Sequence, residues 1–331
     1  MRYNTRLGVC IPTYKRPDQL RLCVRSLIAS AAPHDVPIFI ADDSADITNT
    51  ALIAELQALY PHIIYEKNAV NLGIDGNIIH SVDICDCDYA WLIGEDDRML
   101  PEAISTALET LGTADLAFVA ANYSYVDEDI SVILREKRMM LETDRSESSE
   151  IFLREDAWGI GFIGSCIINT QLWRGVQPEK YFGTYFAHVG VILESIAGKT
   201  VNLIAQPLVL NRVGGAETFT WSGDAYGVFH GWAKMTALLE PIYGKEACDA
   251  SAASFEHNHG LNTLRFMMAK RADRLYTLEI YRKFIQGSQQ SRRHKLAAHL
   301  IARIGPQPFR ILRTLLFSVR KQQNRRVTDL S

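Results

Sequence analysis

Leu7-Gly8-Val9-Cys10-Ile11-Pro12-Thr13-Tyr14-Lys15-Arg16-Pro17 sets the first structural unit of the chain. Its apolar run reads as a short buried strand ended by Pro12. Pro17 then opens a helix whose apolar positions Leu20, Cys23, Val24, Leu27 and Ile28 recur at helical spacing. Outward from this unit the alternation repeats. Residues 36–41, 63–65 and 89–93 read as strands, and 47–60, 74–82 and 101–111 as helices. Four strand-helix units in succession predict an α/β fold with an open, mostly parallel, doubly wound sheet. Ligands of such sheets sit beyond the carboxyl ends of the strands, which directs attention to the residues just after each one.

Further along the pattern loosens. Residues 116–121 and 162–169 read as strands, 185–197 as a helix, and 201–212 as strand, turn and strand around Pro207. The Gly- and Thr-bearing stretch 214–227 reads as a loop, and 228–286 as helical throughout. Two short amphipathic pieces follow, 295–304 and 309–319, separated by Gly305-Pro306-Gln307-Pro308.

The composition is that of an ordinary globular protein: 331 residues, 47% hydrophobic and 22% charged. It excludes collagen-like, disordered and disulfide-scaffold classes. A net charge of −3 conceals an asymmetry, because residues 283–331 hold 11 Lys and Arg and the single acid Asp329. The tail therefore carries +10 and the body −13. Such a split points to an anionic partner for the tail. The six cysteines lack C-x-x-C spacing, and no window reaches the roughly 18 apolar residues that span a bilayer. The N-terminus also lacks the apolar core of a signal peptide. The expected setting is a reduced, cytoplasmic one.

The strand ends carry the chemistry. After the first strand, Thr13, Tyr14, Lys15 and Arg16 offer a hydroxyl, an aromatic ring and two cations to a nucleotide's base, ribose and phosphates, unless they form only a Pro-rich turn. After the second, Asp42 and Asp43 can accept hydrogen bonds from a base imide or ribose hydroxyls, while Ser44 or Asp46 can cap the next helix. After the fourth, Gly94-Glu95-Asp96-Asp97 places three acids in a row against a buried strand. They repel one another and call for a compensating cation. Hard oxygen ligands suit Mg²⁺ or Mn²⁺, which would also bridge the phosphates of a bound diphosphate.

Together V-C-I-P-T-Y-K-R-P, A-D-D-S, N-L-G-I-D-G-N and W-L-I-G-E-D-D followed by L-P-E-A resemble a family 2 glycosyltransferase of the GT-A fold. Asn71, Gly73, Asp75 and Asn77, with the W-L-x-G-x-D-D ending, resemble its abequosyltransferase-like branch, which builds bacterial O-antigen and related polysaccharides. The resemblance implies that Pro12, Thr13 and Tyr14 line the nucleotide and that Asp42 meets the base. Arg16, Asp43, Asn71, Gly73, Asn77 and Glu95 complete the expected donor site. Gly94 stands where such enzymes have the first aspartate of D-x-D, and Asp96 stands at the second, usually the metal ligand; Asp97 or Glu95 would compensate.

Inverting members of that family place a carboxylate base near the start of a helix after the last core strands. His188 stands at the matching position here, and an imidazole with a pKa of about 6.5 can remove a hydroxyl proton near neutrality. His188 and Asp97 are thus the expected catalytic groups, with Glu194, Glu155 and Asp156 as other bases. A retaining, front-face mechanism follows if none serves. Residues 158–165 suggest an acceptor shelf or a tight entry into a core strand. His257 and His259 point apart at i and i+2 on a helix and are assigned to its surface.

The expected architecture is a GT-A domain over 1–213, a helical region over 214–290 and a basic amphipathic tail over 291–331. Arg310, Arg313, Arg320 and Lys321 among Ile311, Leu312, Leu315, Leu316 and Phe317 suit an anionic membrane surface on the inner face of the cell membrane. The alternative partner of that apolar face is the catalytic domain or a second copy in a homodimer. No nucleic-acid motif occurs. The expected partners are a nucleotide diphosphate sugar, a glycan or lipid-linked oligosaccharide acceptor, and a divalent metal. A non-catalytic nucleotide-sugar-binding scaffold is the reading from another class. A nucleotidyltransferase, the other enzyme, lacks support because residues 11–17 contain no glycine.

Overall fold

The structure is a computed structural model that describes residues 5–44, 46–47, 49–213, 225–288 and 290–314. Its first part runs β1 (Leu7–Thr13), α1 (Pro17–Ala31), β2 (Ile38–Asp42), α2 (Thr50–Leu59), β3 (Ile63–Lys67), α3 (Gly73–Asp83) and β4 (Tyr89–Leu92). Then come β5 (Arg98–Met99), α4 (Ala103–Leu111), β6 (Phe118–Val126), β7 (Ile133–Arg135), β8 (Arg145–Ser148) and α5 (Ser149–Glu155). The sheet is completed by β9 (Cys166–Asn169), α6 (Thr170–Trp173), α7 (Ala187–Ser195) and β10 (Thr200–Arg212). Helices α8 (Ala225–Leu238), α9 (Glu240–Tyr243), α10 (Lys245–His259), α11 (Leu264–Ala272), α12 (Leu278–Ile280) and α13 (Arg292–Arg303) follow.

The main path of the sheet is β3-β2-β1-β4-β9-β6-β10-β5, with β7 on β6 and β8 on β10. β3, β2, β1 and β4 are mutually parallel, as the alternation predicts. β9 runs antiparallel to both β4 and β6, so the sheet is mixed beyond β4. The observed strand at 166–169 is shorter than the expected 162–169, because residues 157–165 first make two tight 3₁₀ turns. Pro207 does not turn the chain. It sits in an irregularity of the 13-residue β10, where the register on β6 shifts on either side of it. A bulge is where a strand tolerates a residue with no N–H to give. The stretch 228–286 is likewise divided, with breaks at Gly244 and Gly260, both at positive φ.

Alternation along β1 and β4 feeds two apolar layers. Leu7, Val9, Ile11, Tyr89 and Trp91 pack with α1, α2 and α4. Cys10, Ala90 and Leu92 face the other way, toward α3 and α7, in a layer that extends to Trp232 of α8 and Phe255 of α10. Gly231 lets α8 lie against the turn before α7: a Cβ there would stand 1.9 Å from the carbonyl oxygen of Thr184. A third cluster joins α11 to α13 through Met267, Tyr276, Ile285, Ala298 and Ile301. All six cysteines are buried and free. Among the described residues no helix is long and apolar enough to cross a membrane. Residues 315–331, with Leu315, Leu316, Phe317, Arg320 and Lys321, and most of the expected loop 214–227 lie outside the described residues.

Candidate active site

The carboxyl ends of β1, β2 and β4 converge with the end of β10. β1 and β2 finish level, Thr13 pairing with Asp42. Beyond Thr13 the chain turns through Tyr14, half its ring surface exposed, and Lys15 at φ 55°, whose N–H donates to Ser44 Oγ at 2.8 Å. The Lys15 ammonium lies 5.3 Å from the Tyr14 ring centroid and Arg16 leads into α1. Pro12 is half-buried at this edge. The two cations part here, Lys15 Nζ lying 3.8 Å from Asp46 Oδ2 and Arg16 reaching toward Glu95 and Asp96.

A Cβ at Gly94 would stand 2.5 Å from Asp97 Oδ2, so the tight turn closed by Asp97 N–H to Gly94 O holds the Asp97 carboxylate against a residue without one. That turn sends the three acids in different directions. Glu95 turns to β1, accepting from Thr13 Oγ1 and from Tyr14 N–H at 3.0 Å, with Arg16 Nε 3.7 Å from its other oxygen. Burial pushes its carboxyl up to about 7, against the pull of these donors and Arg16. Asp96 meets Arg212 Nη2 at 2.9 Å and Arg16 Nη1 at 3.8 Å, both through Oδ2. Asp97 turns to β10 and takes the N–H of Arg212 at 3.1 Å and Asn211 Nδ2 at 3.4 Å. Burial and the adjacent Asp96 hold its carboxyl well above the usual range.

The cation that the triplet demands is therefore supplied by the fold, as the Arg16 and Arg212 guanidiniums. Asp97, expected as a catalytic and metal-binding group, is buried and engaged with β10. Asp96, expected as a metal ligand, meets both guanidiniums through Oδ2. Among the described residues no group of three or more His, Cys, Asp or Glu could cage an ion. Mg²⁺ and Mn²⁺ do not need such a cage, since one hard carboxylate completed by substrate phosphate oxygens suits them.

The second strand end is packed inside the fold. Asp42 is fully buried, and its oxygens take Ser44 N–H at 2.9 Å, Asn49 Nδ2 at 3.0 Å and Tyr65 OH at 2.8 Å. Asp43 is a buried hub that accepts from Asn68 Nδ2, Leu72 N–H and Gly73 N–H at 2.7–3.0 Å. Asn77 donates to Thr13 O and Ala41 O, and takes Asn68 Nδ2. Asn71 spans Asp43 O and Gly73 N–H, and Gly73 supplies φ 70°. The side chains of Asp43, Asn71 and Asn77 and the backbone of Gly73 thus fasten α3 to the ends of β1 and β2.

His188 is not positioned as a base. Its side chain is buried, Nε2 lies 3.2 Å from Ile160 O, and burial drives its pKa down to about 4. Glu194 is held by Tyr181 OH and Lys180 Nζ, each at 2.6 Å, and Asp156 by Arg145. The proposed shelf also faces inward: Trp158 is buried with the Arg138 guanidinium 4.3 Å from its ring, and Ser165 bonds Ala121 O. His257 is exposed, but His259 packs on Phe255 with ring centroids 4.1 Å apart.

Two residues emerge that strand-end reading missed. Arg212 ends β10, and the signal was available as a cation closing an apolar strand. Asp75, quoted only within a motif, crosses from α3 to accept Gly183 N–H at 2.7 Å at the head of α7.

Residues 8–170 match the glycosyl transferase family 2 profile. Abequosyltransferase RfbV of Salmonella typhimurium is 26% identical over 255 residues, covering 72% of this chain and 76% of its own. S. aureus TarS 1-349 in complex with UDP-GlcNAc superposes with a TM-score of 0.57 at 13% identity, covering 82% of this chain and 81% of that one. The mannosyltransferase PcManGT of Pyrobaculum calidifontis, with GDP-Man and Mn²⁺, gives 0.50 at 13% identity over 90% and 87%. Strand-end motifs, a mixed sheet and these likenesses agree: the chain is a family 2 glycosyltransferase with a GT-A fold, abequosyltransferase-like in sequence.

Proposed function

We propose that the enzyme transfers a sugar from a nucleotide diphosphate sugar to a hydroxyl of a glycan, a lipid-linked oligosaccharide of bacterial cell-surface polysaccharide. The observation that carries this reading is the facing of Thr13-Tyr14-Lys15-Arg16 against Asp96 and Arg212 across one strand-end cleft. The kinship with an abequosyltransferase supports the polysaccharide context, and relatives of the same fold hold UDP-GlcNAc and GDP-Man.

In this mechanism the exposed Tyr14 ring offers the base a stacking face. Lys15, Arg16 and Arg212 attract the diphosphate and stabilise the charge that grows on it as the glycosidic bond breaks. Glu95 fixes the β1 turn through Thr13 and Tyr14. Asp96 is the residue to hold Mg²⁺ or Mn²⁺, and a cation bound there would add Lewis-acid stabilisation of the leaving diphosphate.

A membrane-surface role rests on α13. It buries Ala298, Ile301 and Ala302 but exposes Leu296 and Leu300 beside Arg292, Arg293, Lys295 and Arg303. The described part of the tail beyond it docks on α11, through Arg310 to Ala272 O and Arg313 to Asp273. We assign catalysis to residues 1–213, with the helical region and basic tail serving acceptor and surface. A thermal-shift panel of UDP-, GDP-, CDP- and dTDP-sugars with and without Mn²⁺ tests the reading, because a ligand of the native state raises its melting temperature. Stabilisation by one nucleotide class is expected; none by any would sink it.

A further inference from the structure

We propose that Asp75 is the general base that takes the proton of the acceptor hydroxyl, a carboxylate that stands at the head of α7 although α3 carries it. This rests on the functional reading above and adds to it the proton-accepting group and, with that, inversion at the anomeric carbon.

An inverting transfer needs a group beside the acceptor hydroxyl that can accept its proton. The side chains of α7 do not offer one, since His188 is buried against Ile160 O and Glu194 is held by Tyr181 and Lys180. Asp75 fills the place from outside the helix. Its Oδ2 accepts Gly183 N–H at 2.7 Å, in the turn that leads into α7. Its Oδ1 is buried and has no donor, and the residue as a whole is only 8% exposed. A polar atom left unpaired inside a protein costs about 1–3 kcal/mol, more when it is charged. Tying the turn to α3 uses one oxygen; the other is left for a donor that the chain itself does not supply, which is the part an acceptor hydroxyl plays.

The neighbours of Asp75 in sequence fix where it stands. Asn77 donates to Thr13 O at 3.2 Å and Ala41 O at 3.3 Å, and Gly73 N–H donates to Asp43 Oδ2 at 3.0 Å. The first turn of α3 is thus pinned to the carboxyl ends of β1 and β2, the rim that also carries Tyr14 and Arg16. The outer side of the seam is open, because a Cβ added at the exposed Gly73 or Gly183 would meet nothing within 4 Å. Ile74 and Phe182 stand exposed beside it and offer apolar faces to the CH side of a sugar ring. Burial also pushes the Asp75 carboxyl above its usual range, against the main-chain N–H groups of Gly183, Ala187 and Tyr185, and so makes it a stronger base than a surface aspartate.

In the step itself the acceptor O–H proton passes to Asp75 Oδ1 and the freed oxygen pair forms the bond to the anomeric carbon. The bond from that carbon to the diphosphate breaks on the opposite side, and its electron pair leaves with the diphosphate.

The test uses the full chain with UDP-GlcNAc, GDP-mannose, CDP-glucose and dTDP-glucose, Mg²⁺ present throughout, and reads nucleoside diphosphate released to water beside the donor-induced rise in melting temperature. D75N should keep that rise and lose about a hundredfold or more in release, the scale of a lost general base. Azide, an anion that attacks without giving up a proton, should restore release in D75A several-fold and leave a glycosyl azide; it should add little to the wild type. The sugar freed by the wild type, read by NMR before it mutarotates, should have the anomeric configuration opposite to the donor's. A retained configuration overturns the proposal even if both variants fail to fold. So does D75N with wild-type release, D75N that no longer responds to the donor, or a folded, donor-binding D75A that azide leaves inactive. A wild type that binds a donor yet releases nothing to water overturns it too, since a base at the anomeric carbon activates water as it does a sugar hydroxyl. If none of the four donors raises the wild-type melting temperature, the donor reading itself falls.

Discussion

Arg212 and Asp96 meet at 2.9 Å although β10, which Arg212 ends, and β4, which Asp96 follows, are separated in the sheet by β9 and β6. The link is β5. Its two residues carry the turn after β4 to the rim of β10, pairing Arg98 with Leu210 and Met99 with Val209. The acids of one strand end and the cation of another are thereby held in one cleft.

The neighbours Asp96 and Asp97 should separate by phenotype. Asp96→Asn is expected to keep the melting temperature within a few degrees and to cut transfer by about a hundredfold or more, as loss of charge stabilisation in a site does. Asp97→Ala strips a buried acceptor from Asn211 and the Arg212 N–H. It should destabilise the fold by about 1–3 kcal/mol. Thermal melts beside a transfer assay decide this, and an inactive Asp97 variant with native stability would contradict the assignment.

His188 makes a pH prediction of definite sign. Its folded pKa of about 4 lies below the ordinary 6.5, so the unfolded chain takes up a proton in that interval which the native state refuses. The contribution is present above pH 6.5 and is lost as pH falls toward 4. His188→Gln should therefore lose less stability than the wild type between pH 7 and pH 4.5 in urea titrations. Its transfer rate at pH 7.5 should stay within about tenfold of wild type, where loss of a general base costs about 10²–10⁴.

Asp75 ties the turn before α7 to α3. Asp75→Asn keeps an oxygen for Gly183 N–H and should stay within about 0.5 kcal/mol of wild type, whereas Asp75→Ala should lose about 1 kcal/mol or more. Equal denaturation midpoints for the two variants would show that the tie contributes nothing.

The exposed leucines of α13 should matter at a lipid surface. Sedimentation of the full chain with phosphatidylglycerol vesicles is expected, with little binding to phosphatidylcholine and weakening in 0.5 M salt. Leu296→Ser with Leu300→Ser should reduce the bound fraction several-fold. Binding unaffected by lipid charge would remove the electrostatic part of the argument, and a salt-independent dimer would point to a second copy instead.

Much of this was legible in the sequence because it is local. Strand-helix alternation located β1 to β4, and the crowding of Glu95, Asp96 and Asp97 announced a missing positive charge. The source of that charge was not legible: it depends on β5 pairing with β10, a contact between residues more than a hundred positions apart. Orientation was the other loss. Adjacent acids look alike in one dimension, yet a tight turn at Gly94 aims Glu95 at β1, Asp96 at the cleft and Asp97 at β10. The burial of His188 was hidden for the same reason, since a helix position says little about which way its ring points.

The contact at Gly231 bears on how the molecule can change. A methyl group there would act as a wedge between α8 and the Thr184 carbonyl, prying helices from the layer that supports α7. The helical region is therefore keyed into the sheet's own core by shape, and a graft that exchanged these helices for those of a relative would have to preserve the keyhole as well as the sequence on either side.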